Sequence, residues 1–465
     1  MSPTRDWYPS RHCIASGLRS VACIVLTVLS LAAKPLPPPL QTSPIFTQEG
    51  NRIDAWLGYS VATIGDQDGD GHSDVLTTVP GFSDLFSGQP CALLYSPTQG
   101  FQIWGGAHCA ALVADAGDVN GDGHRDLIAA IRMEDRRVEI YFGPLDVGQN
   151  DFQPDWVVRT SSATFDMFGE SVAGAGDVNG DGFDDVIVGV PGAYGSGTNG
   201  QALIILGSAL GPSTTPATVL EGTWPEGRFG QTVAGAGDVN GDGYDDVLVG
   251  APWYFNPQDY GAAYLYMGGP SGISNVPAWS TSVTMNSAWT GQAVASAGDV
   301  NGDGFADVIV GDNSWRMPTS RGGEGHAAVF LGSANGLATS PSWSVYGGSR
   351  NAGFGRAAAS AGDVNCDGYS DVIVGSWASF DPNRLTNDRV LVFLGSATGL
   401  KTSPAWTVSM PQVDDTLGFG YAVSSAGDVN GDGSDDVVVG CPWCANDQAK
   451  EGRVFVYTST RGCGT

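Results

Sequence analysis

Short runs of β-branched and other apolar residues, each closed by glycine, recur at nearly regular intervals along this chain. Five read almost alike: Val186 to Gly189, Val247 to Gly250, Val308 to Gly311, Val372 to Gly375 and Val437 to Gly440. Runs this short and this rich in valine and isoleucine predict buried strands rather than helices. Each follows a polar loop, and each loop is entered from a segment of small and β-branched residues such as Ser171 to Gly176. A third apolar run follows in most units, at Ala202 to Leu206, Ala263 to Tyr266, Ala328 to Leu331 and Val390 to Phe393. A fourth opens with Pro-x-Trp, at Pro154/Trp156, Pro277/Trp279, Pro341/Trp343 and Pro404/Trp406. Four antiparallel strands in roughly 60 residues, repeated, predict one propeller blade per unit.

The polar loops fix the count. Their first aspartates are Asp66, Asp118, Asp177, Asp238, Asp299, Asp363 and Asp428, spaced by 52, 59, 61, 61, 64 and 65 residues. The seventh unit has a third strand at Val454 to Tyr457, with no fourth strand before Thr465. At the other end Pro44-Ile45-Phe46 stands alone ahead of the first loop. Phe46 precedes Leu57 by the same 11 residues that separate Trp279 from Thr290 and Trp343 from Phe354. The N-terminal segment is therefore expected to supply the missing strand, closing the ring and removing an exposed sheet edge. The fold expected is all-β: a seven-bladed β-propeller of four-stranded antiparallel blades spanning residues 44–465.

Within each loop the pattern is Asp-x-Asn/Asp-x-Asp-Gly-x-x-Asp. Side chains at positions 1, 3, 5 and 9 converge, glycine at position 6 permits the sharp turn, and a carbonyl at position 7 completes an oxygen cage. Six to eight oxygens suit Ca2+; Mg2+ resists dehydration and rarely takes an all-protein cage. The candidate ligands are Asp66, Asp68, Asp70 and Asp74; Asp118, Asn120, Asp122 and Asp126; Asp177, Asn179, Asp181 and Asp185; Asp238, Asn240, Asp242 and Asp246. The last three sets are Asp299, Asn301, Asp303 and Asp307; Asp363, Asn365, Asp367 and Asp371; Asp428, Asn430, Asp432 and Asp436. Up to seven Ca2+ ions are expected. Strand flanks and the missing twelfth-position glutamate argue against an EF-hand. The first loop carries an extra carboxylate, and the sixth has Cys366 where the others have glycine, which makes it the suspect site if φ must be positive there.

Composition adds direction. Arg5, Arg11 and Arg19 precede an apolar run from Val21 to Ala33 that is too short to span a bilayer, so residues 1–33 read as a signal peptide cleaved near Ala32 or Ala33. Residues 34–43, with their consecutive prolines, read as a linker. No later stretch is apolar enough to cross a membrane, and a secreted or cell-surface location is expected. The whole chain carries −28; without residues 1–33 it has 18 basic against 48 acidic side chains. That balance argues against nucleic acid and anionic membranes. The candidate ligands account for 22 of those carboxylates, which seven dications would offset in part.

Phe-Gly stands nine residues before the loop at Phe168-Gly169, Phe229-Gly230, Phe354-Gly355 and Phe419-Gly420, with Leu57-Gly58 and Thr290-Gly291 as variants and Cys109-Ala110 as a departure. Gly250-Ala251-Pro252 follows the second strand, altered at Gly189-Val190-Pro191 and Gly440-Cys441-Pro442. With these elements the chain resembles the FG-GAP repeats of the seven-bladed propeller of integrin α subunits. The resemblance implies calcium on the bottom-face loops and ligand contacts on the top face, where the loops between second and third strands lie. Those loops are aromatic: Phe82, Phe86, Tyr194, Trp253, Tyr254, Phe255, Tyr260, Trp315 with Arg316, Trp377, Phe380 and Trp443. Such a rim suits an extracellular protein or a glycan, or it packs between blades. The Phe-Gly phenylalanines and Pro-x-Trp tryptophans are assigned to blade packing.

Six cysteines lie beyond residue 33. Sorted by face, they are expected to pair as Cys91–Cys109, Cys441–Cys444 and Cys366–Cys463, with Cys441-Pro-Trp-Cys444 a local disulfide rather than a redox site. Catalytic chemistry has little to stand on. His72 and His124 sit at loop position 7, and His108 and His326 fall in unrelated segments. The leading expectation is a non-enzymatic binding or adhesion module; the alternative is a polysaccharide-acting lyase or hydrolase on the same scaffold.

Overall fold

The computed structural model describes residues 38–463, apart from 52–53, 81–91, 99, 105–109, 133–135, 146–152, 160–166, 193–194, 256–259, 283–288, 314–322, 349–351, 378–387, 411–417 and 446–448, and apart from the side chains of 101–104, 254, 255 and 260. The chain from Pro38 onward forms one compact unit. Its 28 strands make seven four-stranded antiparallel sheets. Blade 1 comprises Val61–Thr63, Val75–Thr78, Ala92–Ser96 and Gly100–Trp104; blade 2, Ala110–Gly117, Asp126–Ile131, Arg137–Tyr141 and Trp156–Arg159; blade 3, Ser171–Gly176, Asp185–Val190, Gln201–Ile205 and Thr218–Glu221. Blade 4 comprises Thr232–Gly237, Asp246–Phe255, Tyr260–Tyr266 and Trp279–Ser282; blade 5, Ala293–Gly298, Asp307–Asp312, His326–Phe330 and Trp343–Tyr346; blade 6, Phe354–Gly362, Asp371–Ser376, Asp388–Phe393 and Trp406–Met410. Blade 7 joins Ala422–Gly427, Asp436–Cys441 and Arg453–Tyr457 to the N-terminal strand Phe46–Glu49.

The closing strand takes the expected register: Phe46 stands opposite Val456, as Trp406 stands opposite Val392 in blade 6. Residues 38–43 of the stretch expected to be a linker pack onto the ring. Leu40 is fully buried in the core between blades 6 and 7. The Gln41 carbonyl accepts the Trp406 indole N–H at 3.0 Å, and the Pro39 carbonyl accepts Thr460 N–H at 2.8 Å. A solvated linker would leave Leu40 in water; here its burial draws the chain onto the ring.

Seven apolar clusters make the core, one between each pair of neighbouring blades. The second strands of blades 2, 3, 5, 6 and 7 are buried at every position, because a blade covers each face. That explains their continuous apolar sequence. Outer strands alternate instead, as in Trp406–Met410. The first strand of each blade touches the first strands of both neighbours, so the inner strands close a complete circle.

The Pro-x-Trp tryptophans pack across this circle's interfaces. Trp279, Trp343 and Trp406 each meet an aromatic of the next blade's third strand (Phe330, Phe393 and Tyr457) at 4.8, 4.9 and 5.1 Å between centroids. The indoles of Trp279 and Trp343 also donate to the next blade's carbonyls of Ala338 and Lys401 at 3.0 Å. In blade 4 the expected top loop is largely strand: pairing continues to Phe255 opposite Tyr260.

Candidate metal centres and the opposite face

Each aspartate loop joins a blade's first and second strands and is wound around its own carboxylates. In the first, Asp66 Oδ1 accepts the N–H groups of Gly69 (2.7 Å) and Asp70 (3.1 Å), and Oδ2 accepts Gly71 N–H at 2.8 Å. Asp68 and Asp70 accept from Asp70 and His72 N–H in turn. This wrap recurs around Asp118, Asp177, Asp238, Asp299 and Asp428. Asn120, Asn179, Asn240 and Asn301 add an amide N–H to the fifth-position carboxylate at 2.8–3.0 Å.

The ninth-position aspartates Asp74, Asp126, Asp185, Asp246, Asp307, Asp371 and Asp436 are fully buried. All seven accept the N–H of loop position 2. Six also accept an N–H from the turn after the third strand, fixing the loop to its sheet. Among the described residues Asp74 has no such second bond, and its buried Oδ1 has no hydrogen-bond partner. Here Asp66, Asp68 and Asp74 place oxygens within 4.8 Å of one another, the one such acidic trio among the described residues.

Burial, followed by repulsion from neighbouring loop carboxylates, pushes the ninth-position carboxyls from 3.8 up to about 7 at Asp74, Asp126, Asp185, Asp246 and Asp307. At Asp371 and Asp436 the rise is to about 8. Buried carboxylates that repel one another, one with an orphan oxygen, fit a hard dication in chemistry. Ser96 donates to Asp68 Oδ2 at 2.7 Å and Thr98 donates to Asp70 Oδ2. The sequence pattern missed both, since they come from the turn after the third strand.

Neighbouring loops are latched together. The N–H at position 8 of one loop donates to the first aspartate's carbonyl in the preceding blade: Asp184 to Asp118, Asp245 to Asp177, Ala306 to Asp238, Ser370 to Asp299, Asp435 to Asp363 and Ser73 to Asp428, at 2.9–3.2 Å. Where position 8 is aspartate its side chain closes the latch, accepting N–H from Asp118, Asp177 and Asp363 at 2.8, 3.0 and 2.8 Å. Between blades 1 and 2 the side chain of Gln67 substitutes, donating to the Arg125 carbonyl and accepting Leu145 N–H. Position 4 has positive φ in every loop, Cys366 included at 59°. Cys366 is bonded to Cys463, which ties the sixth loop to the chain beside the seventh, where Cys463 N–H donates to Asp432 O.

At the other end of the inner strands, the Phe-Gly pairs and their Leu-Gly and Thr-Gly variants meet a glycine of the preceding blade's second strand. Gly230 O would lie 2.1 Å from a Cβ added at Gly189, Gly291 O 2.2 Å from one at Gly250, and Gly355 O 2.0 Å from one at Gly311. The same holds at Gly375 with Gly420 and at Gly440 with Gly58. Only glycine permits this approach of one blade's backbone to the next. Phe168, Phe229, Phe354 and Phe419 are buried beside it. The FG-GAP repeat profile matches residues 168–205 and 419–457, and an FG-GAP-like repeat profile matches 199–310. This chain carries FG-GAP repeats.

The FG-GAP chain is 33% identical over 222 residues to integrin alpha-IIb of Mus musculus, covering 43% of this chain and 20% of that protein. Integrin alpha-8 of Mus musculus is 34% identical over 218 residues, with the same coverage. Integrin alpha pat-2 of Caenorhabditis elegans is 33% identical over 237 residues, covering 46% and 18%. The match thus spans about a fifth of these relatives' length. In fold, the propeller superposes on a chain from a crystal structure of BBS1N in complex with ARL6DN (TM-score 0.52, 13% identity), covering 92% of this chain and 98% of that one.

Of the aromatics expected on the top face, Trp377 is 4% exposed and packs against Trp443 and Tyr421 at 5.0 and 5.4 Å. Trp253 is 37% exposed and faces Trp289. Phe82, Phe86, Tyr194, Trp315, Arg316, Phe380 and the side chains of Tyr254, Phe255 and Tyr260 lie outside the described residues, as do Cys91, Cys109 and His108. The Cys441–Cys444 disulfide is present and buried. His326 is less isolated than its sequence context implied. Strand pairing sets it opposite Asp312, with Ser344 Oγ 2.7 Å from Nε2. The Nδ1–Asp312 separation of 3.8 Å exceeds a hydrogen bond, and the ring is stacked on Tyr346.

Proposed function

We propose that this FG-GAP propeller is a secreted adhesion module, clamped by Ca2+ in its aspartate loops, that engages an extracellular protein through the opposite face. The observation that supports it most is the division of chemistry between the two faces. Carboxylates wrapped for a cation occupy one, while arginines and aromatics occupy the other, on a scaffold similar to part of integrin α chains. In each loop the side chains at positions 1, 3, 5 and 9 would hold the ion, which supplies positive charge to a cluster of repelling carboxylates. Residues 1–33 would direct export, and the two described disulfides suit an oxidising compartment. Among the described residues no helix is long and apolar enough to cross a membrane.

The test is a binding screen of the purified protein against arrayed extracellular proteins and glycans, with and without chelator. Saturable, chelator-sensitive binding to a protein is expected. The second reading, a polysaccharide-acting lyase or hydrolase, draws on the Ser344–His326 contact. Turnover of a polysaccharide without stable binding, lost in Ser344→Ala, would replace the first reading with the second.

A further inference from the structure

At the end of the inner strands opposite the aspartate loops, guanidiniums from several blades gather. Residues that follow the Phe-Gly pairs lie close to or just before the start of the first strands and so ring the axis at this end; Glu170, Gln231, Arg356 and Tyr421 are four of them. Glu170 lies 3.7 Å from Arg132 and 3.8 Å from Arg136, both beside the second hairpin of blade 2. Gln231 donates to the same carboxylate at 3.5 Å. Arg228, from blade 4, stands in the field of both Glu170 and Arg132. Across the mouth, the Arg356 guanidinium lies over Trp377 at 4.3 Å and Tyr421 at 5.6 Å. Burial raises the Tyr421 phenol, and the positive charges of Arg356 and Arg132 pull it back, so arginines from blades 2 and 6 act on one point.

Three guanidiniums, of Arg132, Arg136 and Arg228, thus stand around one carboxylate, Glu170, while that of Arg356 is held against aromatic rings, in a chain of net charge −28. Burial pushes both Arg228 and Arg356 down in pKa, against the pull of Glu170 on the first and of Tyr421 on the second. Arg228 Nε–H has no acceptor among the described residues.

We infer that this mouth is a receptor for the carboxylate side chains of an acidic protein segment. Guanidinium donates in a planar fork that matches carboxylate, and offers no acceptor that would favour a neutral hydroxyl-rich ligand. The aromatic faces nearest the arginines are engaged. Trp377 lies against Arg356, Tyr421 and Trp443, and Trp253 carries Arg228 at 4.8 Å while turning toward Trp289. What the mouth presents is therefore N–H donors rather than stacking platforms for sugar rings. The inference rests on reading this face as the binding face.

The test is fluorescence anisotropy of the calcium-loaded full chain with a labelled (Glu-Gly)4 peptide, its (Gln-Gly)4 counterpart and a labelled hexagalacturonate. Binding of the glutamate peptide alone is expected, weakening as salt rises. It should fall about tenfold or more in Arg356→Gln, Arg228→Gln and Arg132→Gln, with partial rescue by Arg132→Lys. Thermal unfolding of each variant verifies that it remains folded. Equal binding of the two peptides, tighter binding of the hexagalacturonate, or folded variants that bind as the parent does would overturn the inference. The protein screen reports separately. Screen partners that survive all three substitutions keep the adhesion reading and overturn this one. Peptide binding lost in the variants, beside an empty screen, keeps this one and overturns adhesion.

Discussion

Removing Ca2+ from the ring should cost stability in a pH-dependent way. In metal-free protein the ninth-position carboxyls, raised from 3.8 to about 7 or 8, hold their protons well above the usual carboxylate range and release them near neutral pH. A folded-state pKa above the unfolded one means stability that is present at low pH and lost as pH rises through the folded value. Metal-free stability contributed by these groups therefore declines between about pH 4 and pH 8. A bound dication reverses that preference by favouring the charged form. At pH 8 and free Ca2+ one hundred times Kd, each site contributes about 2.7 kcal/mol, and seven independent sites about 19 kcal/mol. At pH 5.5 the ion must displace a proton held with a pKa of about 7, which weakens it roughly 30-fold and leaves about 0.9 kcal/mol per site. Unfolding a unit of about 430 residues changes entropy by about 0.9 kcal/mol per kelvin. The gap in Tm between Ca2+ and chelator should then be about 20 °C at pH 8 and about 7 °C at pH 5.5. Scanning calorimetry at both pH values measures it, and the difference cancels titrations unrelated to the metal. A gap under about 3 °C at pH 8, or one that widens toward acid, would refute the reasoning.

Other perturbations address the interfaces. Gly250→Ala places a Cβ 2.2 Å from the Gly291 carbonyl and should destabilise by about 1–3 kcal/mol in urea titration. Asp245→Ala leaves Asp177 N–H without the carboxylate that accepts it and should cost about 1–3 kcal/mol, with Asp245→Asn recovering part; a Ca2+ titration should show the third loop weakened. Leu40→Ala should cost about 2–5 kcal/mol, whereas a solvated linker residue would cost almost nothing. Breaking Cys366–Cys463, which spans 97 residues, should cost up to about 4–5 kcal/mol. Replacing Cys366 by glycine should be milder than by serine, since its φ is 59°.

The blades were legible because each local signal has one physical meaning. A run such as Val186 to Gly189 can be apolar on both faces only where both are covered, and Phe46 could be aligned because spacing is conserved between repeats within the chain. The loops were legible as side-chain types at fixed offsets. Contacts between blades were not. Asp184, Asp245 and Asp435 sit next to ninth-position aspartates and look redundant in sequence, yet each bonds the backbone of another loop. Leu40 was hidden by the prolines before it, which argue for an extended chain but say nothing about what it packs on. The arginine mouth draws its guanidiniums from blades 2, 4 and 6 and becomes visible only once the ring has closed.

Closure by the first strand also dictates the order in which this molecule can form. Six blades pair strands that are near neighbours in sequence, so each can form locally. The seventh must unite Glu49 with Arg453, across 404 residues, and an encounter between such distant segments is slow relative to hairpin formation. Until then blade 7 has three strands and an open edge, and the core between blades 6 and 7 lacks Leu40. The refolding rate-limiting step should therefore be annealing of the N-terminal strand, leaving a ring with one open sheet edge as the species most exposed to aggregation and proteolysis.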